Sequence, residues 1–479
     1  MVFADLFFIY LFMPLCLLIY FLSGSIKARN TVLLVFSLIF YAWGEPVWVL
    51  MLIAYSFLNF KTGMLIGRAR KKHSPRAAKR ALMLAVIVDI GVLGIFKYSG
   101  FFAENLNALL PVSIPVPRIR LPIGISFYTF QTLSYSIDCY RGKVKVQRDF
   151  GKFLLYVSMF PQLVAGPIVR YSTISSEIDR RNTSLKDLSD GFTRIICGIG
   201  KKVIIANSLS TVVNGCFGTR ESGYAGVGNV SALGAFFGAA SVALWYYFDF
   251  SGYSDIAIGL GRVFGFHFDE NFKYPYLCDS ITDFWRRWHI SLSSWFRDYV
   301  YIPLGGNRKG LARQCLNIMI VWALTGFWHG ASWNFMLWGI YFGVMLLIEK
   351  LFLLEKLKKL PKAVGHIYAL FMVIIGWGIF HFDNLHALGL FFRALVCANG
   401  NPVSSVITRS ILFSNIFLIA AAVLLSLPVR QWIRKFAVKN EKSYYVAKSM
   451  GIVVNAAILI LSSMMLLNNT NNPFLYFRF

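Results

Sequence analysis

Apolar runs long enough, or nearly long enough, to cross a bilayer recur from one end of this chain to the other, and that recurrence limits the fold more than any motif does. They fall near 5–22, 31–43, 47–66, 81–98, 121–138, 190–213, 229–249, 311–327, 331–348, 364–381, 411–428 and 449–467. A helix needs roughly 20 apolar residues to cross about 30 Å of hydrocarbon. With 57% of 479 residues hydrophobic, a soluble domain is excluded. The expected fold is an all-α polytopic integral membrane protein of about 11–13 transmembrane helices, with re-entrant or horizontal helices where polar residues interrupt the spans. No tandem repeat or linker divides it, so 1–479 is read as one membrane domain, with 411–479 as its C-terminal helices and tail.

The first apolar run follows "MVFAD", which lacks the basic start of a secretory signal, and reads as a retained span. The seven cysteines are scattered without a C-x-x-C pair, so neither a disulfide framework nor a cysteine zinc site is indicated. Forty-eight basic against 22 acidic residues give a net charge of +26. That charge is divided among loops at 67–80, 140–152, 349–362 and 429–448, which the positive-inside tendency places in the cytoplasm. Both termini then lie outside. Charge dispersed in this way argues against nucleic-acid binding and is compatible with anionic lipid or a cytoplasmic anionic substrate such as a nucleotide thioester.

Between 245 and 340 the texture changes: apolar runs shorten, and Asp, Arg, His, Asn, Gly and Trp crowd together. Polar density within a membrane protein marks re-entrant structure or a hydrated cavity, so chemistry is sought there. Read as one helix, "DFWRRWHISLSSWFRD" (283–298) places Trp285, Trp288, His289, Leu292, Trp295 and Phe296 within an arc of roughly 120°. Read likewise over 322–336, Trp322, Thr325, His329, Trp333 and Met336 share a face, and Gly326 and Gly330 permit close helix approach. Each histidine alone has a simple packing explanation. Two of them, flanked by indoles and 40 residues apart, are placed to converge, and imidazole can take a proton from a hydroxyl and return it to a leaving group.

Other chemistries find little support. There is no HExxH, P-loop or G-x-S-x-G elbow, and "HFDNLH" (381–386) has an i,i+5 spacing that splays its rings by about 140° on a helix. No metal site is expected. A proton-coupled transporter would suit intramembrane Asp, Arg and His but predicts repeated halves, which are absent from the sequence. A silent scaffold would depend on the basic loops and the "NPFLYFRF" tail instead of the histidines.

"FDFSGYSDIAIGLGRVFGF", "NFKYPYLCDSITDFWRRWHISLSSWFRDYVYIPLGGNR" and "GFWHGASWNFMLWG" resemble the bacterial branch of the membrane-bound O-acyltransferase (MBOAT) family, nearest to its alginate-acetylating members. The likeness extends to "LPIGISFYTFQTLSYSIDCYRG", "FPQLVAGPIVRY" and both chain ends. It implies a ring of helices around a central funnel, no bound cofactor, and acetyl-CoA as the cytoplasmic acyl donor. It also implies a polysaccharide acceptor outside a bacterial inner membrane, often reached through a hydrolase-like partner protein. Alginate, other exopolysaccharides, peptidoglycan and cell-wall polymers are acceptors of such relatives, and a teichoic-acid branch moves D-alanine from a carrier.

The invariant family histidine falls on His329 and the second motif position on His289. His329 is therefore assigned as general base or as the group that polarises the attacking hydroxyl, and His289 as the group that orients the donor or hydrogen-bonds the oxyanion. Supporting candidates are Asn334, Trp328, Trp285, Asp249, Tyr253 and Asp255, with Arg286 and Arg287 near anionic groups of the donor. Asp249 and Asp255 equally fit simple ion pairs with Arg286, Arg287 or Arg262. Ser332 offers a covalent route, ranked below direct transfer because no oxyanion hole or orienting acid accompanies it. Asp89 is assigned no role.

Overall fold

A computed structural model describes residues 1–110, 113–437 and 441–467. Its described residues contain helices and no strand. Among the described residues, eight helices are long and apolar enough to span a membrane, nine if the pair Val406–Ser414 and Ile416–Leu425, bent by 56°, counts as one. The all-α membrane class expected from the sequence is thus present. The first window becomes a short helical stretch, Phe8–Leu22, and the run near 121–138 becomes a 17-residue helix, Ile125–Arg141. Leu311–His329 carries Arg313, Gln314 and Asn317 in its first two turns.

The chain falls into two compact units. The first comprises Met1–Ile195 and Tyr253–Glu270. Ile26–Gly44, Trp48–Lys71 and Pro75–Leu109 are its spans, and helix Ile125–Arg141 packs within it with nearly every residue buried. That helix carries Thr129, Gln131, Thr132, Ser134, Ser136 and Asp138, all buried. Asp89, fully buried, belongs to this polar interior. Its carboxylate accepts hydrogen bonds from Tyr55 Oη at 2.5 Å, Asn59 Nδ2 at 2.7 Å and Thr132 Oγ1 at 3.3 Å. Three donors thus meet the oxygens of this buried carboxyl group.

The second unit holds Ile196–Gly252 and Asn271–Asn469, described as far as Leu467. Its centre is a helical hairpin, Leu311–His329 and Trp333–Ile348. Gly326 and Gly339 face each other there: a Cβ on Gly326 would meet the Phe335 carbonyl oxygen, and one on Gly339 the Trp322 carbonyl oxygen. Only glycine allows backbones this close. Lys362–His381 packs on the same hairpin. The "NPFLYFRF" tail lies outside the described residues.

Candidate active site

The stretch read as one helix over 283–298 is two. Ile281–Arg287 and Ile290–Phe296 are separated at Trp288 and His289, and His289 adopts φ +45°, a left-handed conformation uncommon for a residue with a side chain. The break is imposed from outside the segment. Asn271 lies alongside: its carbonyl accepts from Ile290 N at 3.1 Å, its Oδ1 from Ser291 N at 3.2 Å, and Lys273 N donates to the Arg287 carbonyl at 2.9 Å. These bonds brace the break, where Trp288 is extended and His289 left-handed.

The first short helix is anchored at its N-terminus. Ser280 Oγ accepts from Asp283 N at 3.1 Å. The Glu349 carboxylate, 1% exposed, accepts from Ile281 N at 2.6 Å, Thr282 N at 2.8 Å and Thr282 Oγ1 at 2.6 Å. An anion on the unpaired N–H groups of a helix start is favourable. Glu349, assigned from sequence to a cytoplasmic loop, instead continues the helix Trp333–Ile348 and is buried.

The helix expected over 322–336 also breaks. It ends at His329, Gly330 is extended, and a new helix starts at Trp333. Trp333 consequently does not share a face with His329: it is 52% exposed. His329 at this helix end is packed edge-on by Trp328, Trp338 and Phe380, with ring centroids 4.9, 5.0 and 5.2 Å away. Trp328 also lies 6.2 Å from the His289 ring. One indole therefore neighbours both imidazoles, and both histidines are buried, 1% and 7% exposed. Phe250 closes on His289 at 4.7 Å with perpendicular planes.

Trp285 lies in the surrounding aromatic layer, 4.6 Å from Trp322 and 4.9 Å from Phe342. Asn334 is a brace: its Nδ2 donates to the Phe382 carbonyl, and its Oδ1 accepts from Ser332 Oγ. Arg287 pairs with Asp283 at 2.8 Å, whereas Arg286 is exposed. Asp249 pairs with Lys202 at 2.5 Å, with side chains 2% and 3% exposed. Tyr253 and Asp255 belong to the first unit, where Tyr253 stacks on Phe3 at 4.7 Å and Asp255 pairs with Arg194 at 2.9 Å. Sequence reasoning missed Asn271, Glu349, Trp338 and Phe380. A buried acid at the end of an apolar run was the available signal for Glu349; Asn271 offered none, since its partners lie 18 and 20 residues away.

Comparison with known proteins agrees with the motifs. Residues 122–392 match the membrane-bound O-acyltransferase family. The chain is 41% identical to the probable alginate O-acetylase of Pseudomonas putida, over 82% of this chain and 80% of that protein. It is 30% identical to the peptidoglycan O-acetyltransferase of Helicobacter pylori, over 98% and 96%. It is 28% identical to the teichoic acid D-alanyltransferase of Streptococcus thermophilus, over 49% and 58%. The chain belongs to the membrane-bound O-acyltransferase family and is a multi-pass membrane acyltransferase.

Proposed function

We propose that this protein transfers an acetyl group from cytoplasmic acetyl-CoA to a hydroxyl of an extracytoplasmic polysaccharide, directly or through a hydrolase-like partner protein, from a bacterial inner membrane with both termini outside. The observation that carries this reading is the pair of buried histidines sharing Trp328 as a neighbour. Support for acetyl and polysaccharide comes from the relatives named as alginate and peptidoglycan O-acetylating proteins, which match most of the chain. The D-alanyl relative matches about half of it.

In the proposed step His329 takes the proton of the acceptor hydroxyl while its oxygen attacks the thioester carbonyl. The tetrahedral intermediate collapses, the C–S bond breaks, and the departing thiolate receives the proton from His329, leaving an ester and a thiol. His289 orients the donor or hydrogen-bonds the oxyanion. The aromatic shell excludes water, which would otherwise hydrolyse the thioester. Arg286 is the exposed cation for anionic groups of the donor.

The test is acetyl transfer in proteoliposomes with labelled acetyl-CoA and the extracytoplasmic fraction, comparing wild type with His329→Ala at matched folding. A fall of about 10²- to 10⁴-fold with donor binding retained is expected for loss of a general base. Wild-type transfer by His329→Ala overturns the role of His329; transfer from a D-alanyl carrier but not from acetyl-CoA overturns the donor.

A further inference from the structure

His289 can present either of two faces to a substrate, depending on which ring nitrogen carries the proton, and the surrounding hydrogen bonds decide between them. The argument starts at Asn271, which is fully buried. A backbone N–H can only donate, and that of Ser291 points at the Asn271 amide terminus at 3.2 Å. That terminus is therefore the oxygen, because reversing the amide would set an NH₂ group against an N–H. The Ser291 hydroxyl donates to the same oxygen at 2.9 Å. His289 Nδ1 lies 3.2 Å from it, nearer than the 3.5 Å to the Ser291 hydroxyl, whose shorter bond is to the Asn271 oxygen. An amide oxygen carries no hydrogen, so this contact is a hydrogen bond only if Nδ1 is the protonated nitrogen.

We propose that Asn271 is a positioning residue that holds His289 as the Nδ1–H tautomer, so that Nε2 meets the substrate as a lone-pair acceptor. The backbone contributes to the same end: Asn271 O binds Ile290 N at 3.1 Å and thereby holds His289 in its left-handed conformation, which sets the ring direction. Phe250 and Trp328 flank the ring with apolar surface, and an amide partner supplies no negative charge to stabilise an imidazolium.

This inference rests on the acyltransfer reading and narrows it. Of the two roles open to His289, an oxyanion requires a donor, and Nε2 of this tautomer has none to offer. His289 therefore receives a substrate N–H or O–H, either an amide of the donor's thioester arm or the acceptor hydroxyl.

The test uses full-length protein in proteoliposomes with ¹⁵N-labelled histidine, its His289 signal identified by loss in His289→Gln. Solid-state NMR of the resting enzyme, without acyl donor, should show Nδ1 protonated and Nε2 unprotonated. Asn271→Leu should lose that preference and lower kcat/KM roughly 10- to 100-fold, the scale of losing an orienting partner behind a working side chain. Asn271→Asp, which keeps an acceptor oxygen, should keep Nδ1 protonated. A raised donor KM in Asn271→Leu identifies the thioester-arm amide as the group bound, and a raised acceptor KM the hydroxyl. A proton on Nε2 in the wild type, an unaltered tautomer in Asn271→Leu, or loss of the Nδ1 proton in Asn271→Asp would overturn the proposal. Because the spectrum is recorded without turnover, failure of the acetyl-transfer reading would show in the kinetics alone.

Discussion

The Glu349 carboxylate receives the backbone N–H of Ile281 at 2.6 Å, across 68 residues of chain. It also receives Thr282 N and Oγ1, so one buried acid satisfies the start of the helix that leads to His289. Glu349→Ala strands these donors at about 1–3 kcal/mol for each buried group left unpaired. Thermal unfolding in detergent should show a lowered midpoint, and Glu349→Gln, which keeps one acceptor oxygen, a smaller loss. Equal midpoints for wild type and Glu349→Ala would remove the anchor from the account.

Gly326 and Gly389 should respond oppositely to the same change. A methyl at Gly326 meets the Phe335 carbonyl oxygen and, at 3.2 Å, the Gly339 Cα, so Gly326→Ala forces the hairpin apart beneath His329. Overpacking of this kind costs about 1–3 kcal/mol, and transfer should fall with it. At Gly389, inside helix Leu385–Leu395, an added Cβ meets nothing within 4 Å. Gly389→Ala should raise stability by about 0.4–1 kcal/mol and leave transfer unchanged. Parallel melting curves and acetylation assays check both.

Lys202 and Asp249 form a buried pair at 2.5 Å. Lys202→Met leaves the aspartate charge without this cation in the interior, a loss of about 3–5 kcal/mol, while the double variant Lys202→Met/Asp249→Leu should recover much of it. A double-mutant cycle of unfolding midpoints measures the coupling. Additive single effects would show the pair to be uncoupled.

Ser332 Oγ is hydrogen-bonded to Asn334 Oδ1, beside His329 but committed to the brace. Ser332→Ala should therefore keep transfer within a few-fold of wild type, and no acetyl group should be found on the protein by mass spectrometry after a donor pulse. A labelled Ser332 would replace direct transfer with an acyl-enzyme.

The membrane class was readable because apolar length is a property of each segment by itself. The two histidines were readable because each is polar within an apolar run. Their local geometry was not. Period 3.6 predicted unbroken helices through His289 and His329, and both break. At the first, acceptors on Asn271 compete with the helix. At the second, Gly330 is extended and Asn334 ties the new helix start to the Phe382 carbonyl. The Lys202 partner of Asp249 was not foreseen either, because it approaches from another helix.

Sequence alone thus determined the membrane setting and the family, and singled out the two histidines as candidates, since hydrophobic length and motif spelling exist before folding. Tertiary structure alone decided which side chain meets His289 Nδ1, which acid anchors its helix and which cation meets Asp249. Those outcomes depend on hydrogen bonds and charges separated by 18, 68 and 47 residues, which come within about 3 Å of one another only when the helices have packed.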